Sequence, residues 1–498
     1  MFFSLDKIDL LLVLNKQMDS KIKIFLTLLI INNSFLLNSQ QYNDDLGPDF
    51  HKKKRSEFRE KMPNNSVAII FTSPVMKRSN DTNFMYHQNP NFYYLTGWRE
   101  PHGVLVIYSN QQEDEKGQYY EELFIRERNE YREMWDGKRL GIQGARKMGF
   151  DRVYLRSEFV EKELDFSNFD YVLHNELRDD VRDNKTDNYD LFDLQIRFES
   201  LLSDISNKKK DNELMDNKKL SINTKTLNDL MKSLRQTKDK EEIELLRKAV
   251  KISAFAQVEV MKAIHNEMTE REVQGIHEYI YRKYGAAHQG YNSIVGSGGN
   301  SCVLHYVTND NNNIKDQLIL MDVGAEYRGY TADVTRTIPV NGKFSNEQRE
   351  IYNLVYLAQE EGIRMSKVGN SFTDINRASY KIISEGLISL GIINDVKDAR
   401  KYFPHGVSHH IGLDVHDPGD RVLSENMVIT VEPGIYIPSG SDCDPKWWDI
   451  GVRIEDDILI TNNGPINLSS DAPRKIDEIE EVMKKKSPLG EFKLPIIN

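Results

Sequence analysis

Short apolar runs bounded by turn residues alternate with amphipathic stretches along most of the chain. Ser66–Phe71 and residues 104–108 are apolar. Their length and flanks predict buried strands. Residues 175–222 are charged and Asn-rich, with lysines at 208–210, 218 and 219. This pattern predicts a solvated surface helix and loop that close a first lobe. Asp239 followed by Glu242 predicts a capping box that opens a helix. Leu246, Val250, Ala254, Val258 and Met261 then recur at helical spacing and predict one buried stripe. Thr269 with Glu272 opens a further helix in the same way. The chain reads as a mixed α/β lobe followed by a second lobe that begins near residue 235.

In the second lobe several apolar strands end in acids. Residues 318–322 read as a strand ending at Asp322, and residues 330–337 as its returning partner carrying Asp333. The two acids lie 11 residues apart, a separation that a hairpin brings side by side. Singly, each reads as a turn or cap residue. Inside apolar strands they are costly unless paired or bound to metal, and two facing carboxylates repel. Residues 427–432 predict a strand ending at Glu432, broken by Pro433 and Gly434. Residues 452–460 alternate as one strand. Val452, Ile454, Ile458 and Ile460 share one face; Arg453, Glu455, Asp457 and Leu459 share the other.

Composition narrows the chemistry. The 498 residues allow two or three domains, and 39% hydrophobic with 29% charged residues is an ordinary globular balance. The net charge of −11 argues against a general nucleic-acid binder. Two cysteines, Cys302 and Cys443, exclude a disulfide scaffold, a zinc ribbon and an iron–sulfur site. Metal would therefore be held by His, Asp and Glu. His405, His409, His410 and His416 fall within twelve residues, out of twelve histidines in the chain. Interleaved Val407, Ile411, Leu413 and Val415 make that segment partly buried rather than a surface loop. Asp322, Asp333, His409, Glu432 and Glu455 supply four carboxylates and an imidazole, a charge that matches two divalent cations. Such oxygen-rich ligation suits a hard ion such as manganese, with cobalt or zinc as alternatives. Gly296 to Gly299 lack the Lys-Ser/Thr of a phosphate loop, so that reading is rejected.

These segments, in this order, resemble aminopeptidase P, the Xaa-Pro aminopeptidase branch of the creatinase/methionine aminopeptidase ("pita-bread") superfamily. The carrying residues are 318–324, 330–337, 405–409, 413–417, 430–434 and 451–456, together with 303–306. In the first lobe they are 91–97 and 133–141. The likeness spans most of residues 45–485 and implies an α+β chain, with an N-terminal α/β creatinase-type lobe before a C-terminal pita-bread catalytic domain. Its boundaries are expected at 1–40 for a signal peptide or extension, 41–234 for the N-terminal domain and 235–498 for the metallopeptidase domain. The resemblance implies a metal-dependent exopeptidase that releases the residue preceding proline, by a water bridging two divalent metals. Asp322, Asp333, His409, Glu432 and Glu455 match five ligands of two Mn²⁺ ions, with Asp333 and Glu455 as bridges. His305 and His416 match histidines that contact substrate and assist proton transfer, and Glu432 matches a catalytic proton carrier. His405 matches a further substrate-pocket histidine, and Arg453 an arginine that holds a ligand carboxylate. His410 has no family role and is read as structural. A homo-oligomer acting on peptides with an Xaa-Pro N-terminus is expected. The nearest alternative is prolidase, which cleaves only Xaa-Pro dipeptides on the same scaffold. The short stretch 417–427 and the segment 442–449 fit the aminopeptidase branch better. A non-catalytic pita-bread binding protein is a second alternative, disfavoured by the intact ligand set.

Before the first lobe, Lys21 and Lys23 precede an apolar run at residues 24–31, and a polar Asn-Ser-Gln stretch follows. A basic start, a short apolar core and a small-residue exit predict a signal peptide near residues 18–40. The expected location is secreted or periplasmic, with the cytoplasm as alternative and no stable membrane insertion after processing.

Overall fold

The computed structural model describes residues 44–178, 188–211 and 220–490. The segment read as a signal peptide lies outside them. Among the described residues no helix is long and apolar enough to cross a membrane.

The first lobe is built on a six-stranded mixed sheet. Its strand order is Arg152–Leu155, Gly117–Ile125, Val104–Asp114, Ser66–Phe71, Tyr171–His174, Ser221–Asn223. Ser66–Phe71 is central and buried along its whole length, which is why it reads as an unbroken apolar run. The strand begun at residue 104 runs on to Asp114, where its residues become exposed and polar. The helix Leu191–Asp211 departs from the expected solvated face. Leu191, Leu194, Phe198, Leu201 and Ile205 are buried against the sheet with Phe71 and Phe159. The many charges of this region hid a stripe at helical spacing that completes the lobe's core.

The second lobe packs helices Lys240–Ala263, Glu270–Lys283, Asn346–Met365 and Phe372–Ser389 around short antiparallel sheets. Both capping boxes form. Glu242 accepts from the Asp239 amide at 2.9 Å, and Glu272 accepts from the Thr269 amide at 2.7 Å. Four members of the predicted stripe on Lys240–Ala263 are buried, and Val258 is half-buried. Leu318–Val323 pairs with Val334–Pro339, so Asp322 stands opposite Thr335. Residues 330–337 are therefore not one returning strand: Asp333 lies in a break, and Tyr330–Thr331 before it pairs instead with Ala325–Tyr327 in a smaller hairpin of another sheet. Its turn contains Gly329 at φ +93°, where an added Cβ would also lie 3.0 Å from the Tyr93 ring of the first lobe. Tyr93 donates its hydroxyl to Arg328 O at 2.9 Å, which ties the two lobes at this turn.

Residues 452–460 are not the single strand their alternation predicts. Ile450–Arg453 pairs with Gly434–Ile437, whereas Asp456–Thr461 pairs with Val428–Val431 in a different sheet. Pro433 has no amide hydrogen and ends the ladder on one side. Opposite it, Ile454 and Glu455 leave the strand, and the Glu455 amide donates instead to Thr335 O at 3.1 Å. The paired breaks place Glu432 and Glu455 in the same gap, beside the end of the Asp322 strand.

Candidate metal centre and catalytic cleft

The five residues expected as ligands converge. Donor atoms of Asp333, His409 and Glu455 all lie within 4.8 Å of one another. His409 Nε2 is 3.5 Å from Asp333 Oδ2 and 3.4 Å from Glu432 Oε1. Asp322 is joined to Asp333 through Tyr291, whose hydroxyl lies 2.6 Å from Asp322 Oδ1 and 2.5 Å from Asp333 Oδ1. Asp322, Asp333 and Glu455 are buried.

Neighbouring groups fix the orientation of each donor. The Nδ1 of His409 lies 3.0 Å from the carbonyl of His410. A carbonyl only accepts, so Nδ1 carries a hydrogen; Nε2 faces the Asp333 and Glu432 carboxylates, donating to them when the ring is protonated and free to ligate a cation when it is not. Thr430 receives the His409 amide at 3.1 Å and donates to Glu432 Oε1 at 3.2 Å. Thr335 donates to Glu455 Oε2 at 2.6 Å. Asp457 accepts the Asp333 amide at 3.1 Å. Arg453 donates to Asp322 Oδ2 at 2.5 Å and to the Tyr436 hydroxyl at 2.8 Å.

Electrostatics test whether cations fit. Burial, then repulsion from Asp333, Glu432 and Asp322, pushes the Glu455 carboxyl well above the usual range. Glu432 is pushed up to about 7 by burial and by Asp333, against His409. Asp322 is raised by burial in spite of Arg453. Burial works against His409⁺, yet Asp333 and Glu432 draw its pKa up to about 9. In Asp333 the same His409 contact outweighs burial and holds the carboxyl low. The protein alone thus gathers more negative charge than one arginine and one imidazole balance. Divalent cations among these oxygens would remove both the burial and the repulsion costs. The donor set fits them.

The cluster opens into a cleft of about 240 Å³ lined by Leu304, His305, Asp322, His405, Gly406, Ser408, His409, His416, Glu432 and Arg453. His305 and His416 are exposed at its walls. The His416 ring stands edge-on to His409 with centroids 4.4 Å apart. Burial and the neighbouring His409 keep His416 below the usual histidine range. His405 Nδ1 donates to Gly406 O at 2.7 Å, so its Nε2 accepts from Tyr436 at 2.8 Å; burial lowers its pKa to about 4. His410 points elsewhere. It is buried, its Nε2 donates to Asp420 O at 2.8 Å, and its ring packs on Phe372.

Tyr291, Thr335, Thr430 and Tyr436 were not singled out by the sequence. Tyr291 sits 31 residues before Asp322 in an ordinary loop, and nothing in its local pattern marks it. Tyr436 lies beyond the Pro433–Gly434 break, in the strand Gly434–Ile437 that the sequence reading did not include.

A model of metallopeptidase family M24 matches residues 244–462, and one of the aminopeptidase P N-terminal domain matches residues 51–165. The chain is 36% identical to the Xaa-Pro aminopeptidase of Escherichia coli K12 over 446 residues, 87% of this chain and 97% of that one. It is 33% identical to human Xaa-Pro aminopeptidase 3 over 445 residues, 84% of this chain and 81% of the relative. The solved structure of E. coli aminopeptidase P with the inhibitor Pro-Leu superposes with a TM-score of 0.78 at 34% identity, covering 88% and 98% of the two chains.

Proposed function

We infer the chemistry of this cleft from the fact that the chain belongs to metallopeptidase family M24. It is a metal-dependent Xaa-Pro aminopeptidase, an exopeptidase that releases the N-terminal residue ahead of proline. The observation that carries this reading is 36% identity over 97% of the E. coli enzyme, together with the convergence of the buried donors on one cleft. Asp322, Asp333, His409, Glu432 and Glu455 are assigned as holding two divalent cations, manganese by preference because oxygen donors dominate. When bound, these cations lower the pKa of water and polarise a carbonyl.

The side chains would do the rest. Arg453 opposes the protonation of Asp322 that burial favours and holds the carboxylate in place. Thr335 and Thr430 leave Glu455 and Glu432 one orientation each. Glu432, beside His409, takes the proton of the attacking water and passes it to the departing proline nitrogen. His305 and His416, on the cleft walls, contact the peptide around the scissile bond, and His405 closes the far side through Tyr436. A homo-oligomer is proposed. Export is also proposed, supported by Lys21, Lys23 and the apolar run at 24–31. N-terminal sequencing of the natural protein checks it: a mature start near Gln40 or Gln41 is expected, and an intact Met1 or Met18 contradicts it.

The activity is tested by supplying the manganese-loaded protein with Gly-Pro, Arg-Pro-Pro, a longer Xaa-Pro peptide and an Xaa-Ala control. Cleavage of all three proline peptides and sparing of the control is expected. Turnover of Gly-Pro alone would make the chain a prolidase. His416→Ala is expected to lower kcat by about 10²-fold or more, the usual scale of a lost proton-transfer group. Metal content should stay at the wild-type level, because His416 is not among the assigned ligands. Loss of metal from this variant would move His416 into the ligand set.

A further inference from the structure

His416 is exposed in the cleft, and among the described residues no hydrogen bond holds its imidazole. Where the ring stands therefore depends on its backbone. The residues flanking it, Asp414 and Asp417, are gripped from one place. Arg235 closes the helix Lys225–Arg235, which packs on the first lobe's helix Pro48–Lys61, and its side chain is buried. Its Nη2 donates to Asp414 Oδ2 at 2.8 Å and to Asp417 Oδ1 at 2.5 Å. Its Nη1 donates to Asn91 Oδ1 at 2.6 Å, in the first lobe. Lys238 donates to Asp417 Oδ2 at 2.9 Å, and the Asp414 amide donates to Asp417 Oδ1 at 3.2 Å. The Asp417 amide in turn bonds to His410 O at 3.0 Å, next to the ligand His409.

Buried ion pairs are poor stabilisers, because the loss of hydration offsets most of the attraction. Apolar side chains of similar volume would hold the lobes together as well. They would not set the register of a loop, whereas a planar guanidinium with donors in fixed directions does.

We propose that Arg235 is a positioning residue for the hydrolysis: it clamps residues 414–417 so that the His416 imidazole stands in the cleft beside His409. The proposal rests on the reading that His416 contacts substrate during Xaa-Pro cleavage.

The test is a double-mutant cycle on the full-length, metal-loaded enzyme. Arg235→Met is measured alone and in a His416→Ala background, with kcat, KM and metal content recorded for each. A misplacement of about 1 Å costs up to ~10²-fold. Arg235→Met alone is expected to lower kcat roughly tenfold or more, with unchanged metal content. In the His416→Ala background the further loss is expected to stay below about twofold, because the group being positioned is gone. An equal loss in both backgrounds, loss of metal, or a His416→Ala enzyme with wild-type turnover would overturn the proposal. If Arg235→Met does not fold, Arg235→Lys and Asp414→Asn carry the same cycle, each with a smaller loss of the same pattern. A crystal structure of whichever variant folds supplies a readout independent of turnover. The His416 ring should be displaced while the five metal donors keep their places; an unmoved ring overturns the proposal. A wild-type enzyme inactive on every Xaa-Pro peptide would instead defeat the functional reading, and the crystal structure would still decide the role of Arg235.

Discussion

Asp333→Ala is expected to abolish cleavage of Xaa-Pro peptides and to leave the protein folded but unable to retain its cations. Asp333 lies at the centre of the cluster, within reach of His409, Glu455 and, through Tyr291, Asp322. Loss of a group that merely supports a ligand typically costs 10–100-fold in metal affinity or activity, so loss of a donor proposed to bridge the two cations should cost more than about 10²-fold. The fold should survive. The backbone contact to Asp457 does not involve the Asp333 side chain, and the strand Val334–Pro339 begins at the next residue. Thermal melts separate the two effects. Cations that bind only the native wild type add about 2.7 kcal/mol at a hundredfold excess over Kd, so manganese should raise its Tm. It should leave the Tm of Asp333→Ala unmoved. A variant with full activity, or with a metal-induced shift equal to wild type, would defeat the dinuclear assignment.

The second large effect concerns Arg453. Its guanidinium is buried, holds Asp322 at 2.5 Å, supports Tyr436 at 2.8 Å and reaches Leu304 O at 3.3 Å. Arg453→Met leaves the buried Asp322 without its cationic partner, a change of about 3–5 kcal/mol where nothing replaces it. Bound divalent cations would replace part of that charge. The variant is therefore expected to be destabilised more in EDTA than in manganese, and to lose about 10–100-fold in kcat/KM even when loaded. Calorimetric melts under both conditions, with turnover measured in manganese, check this. Equal, small Tm shifts in both conditions would show that Arg453 does not balance Asp322.

How far the sequence disclosed this site follows from which features are local. The acids at the ends of apolar strands were legible because a carboxylate is costly there, and Asp322 and Glu432 stand where that argument places them; Asp333 was legible as a candidate, but it lies in a break between Tyr330–Thr331 and Val334–Pro339 rather than inside one returning strand. Glu455 was legible as a candidate, but its backbone was misread. Alternation over 452–460 is the same whether one strand continues or two strands meet at a break, and only Pro433 across the gap, with no hydrogen to donate, decides between them. The helix Leu191–Asp211 was masked in another way. Its buried stripe of Leu and Phe is real, but the lysines and asparagines around it dominate the average. Tyr291 and Arg235 could not be found at all. Each acts through partners 31 to 182 residues away, and side-chain contacts over such separations leave no mark on local periodicity. The family resemblance bridged part of that distance by pointing to the proposed ligands and to Arg453, but not to Tyr291, Thr335 and Thr430, which orient them.

The central claim is that five side chains hold two divalent cations and that Xaa-Pro cleavage depends on them. The most direct measurement is metal content against turnover as the EDTA-stripped enzyme is titrated with manganese. Two equivalents bound per chain, with Arg-Pro-Pro turnover appearing only as they are taken up, is the predicted result. Full turnover in the stripped enzyme, with no more than trace metal present, would contradict the account.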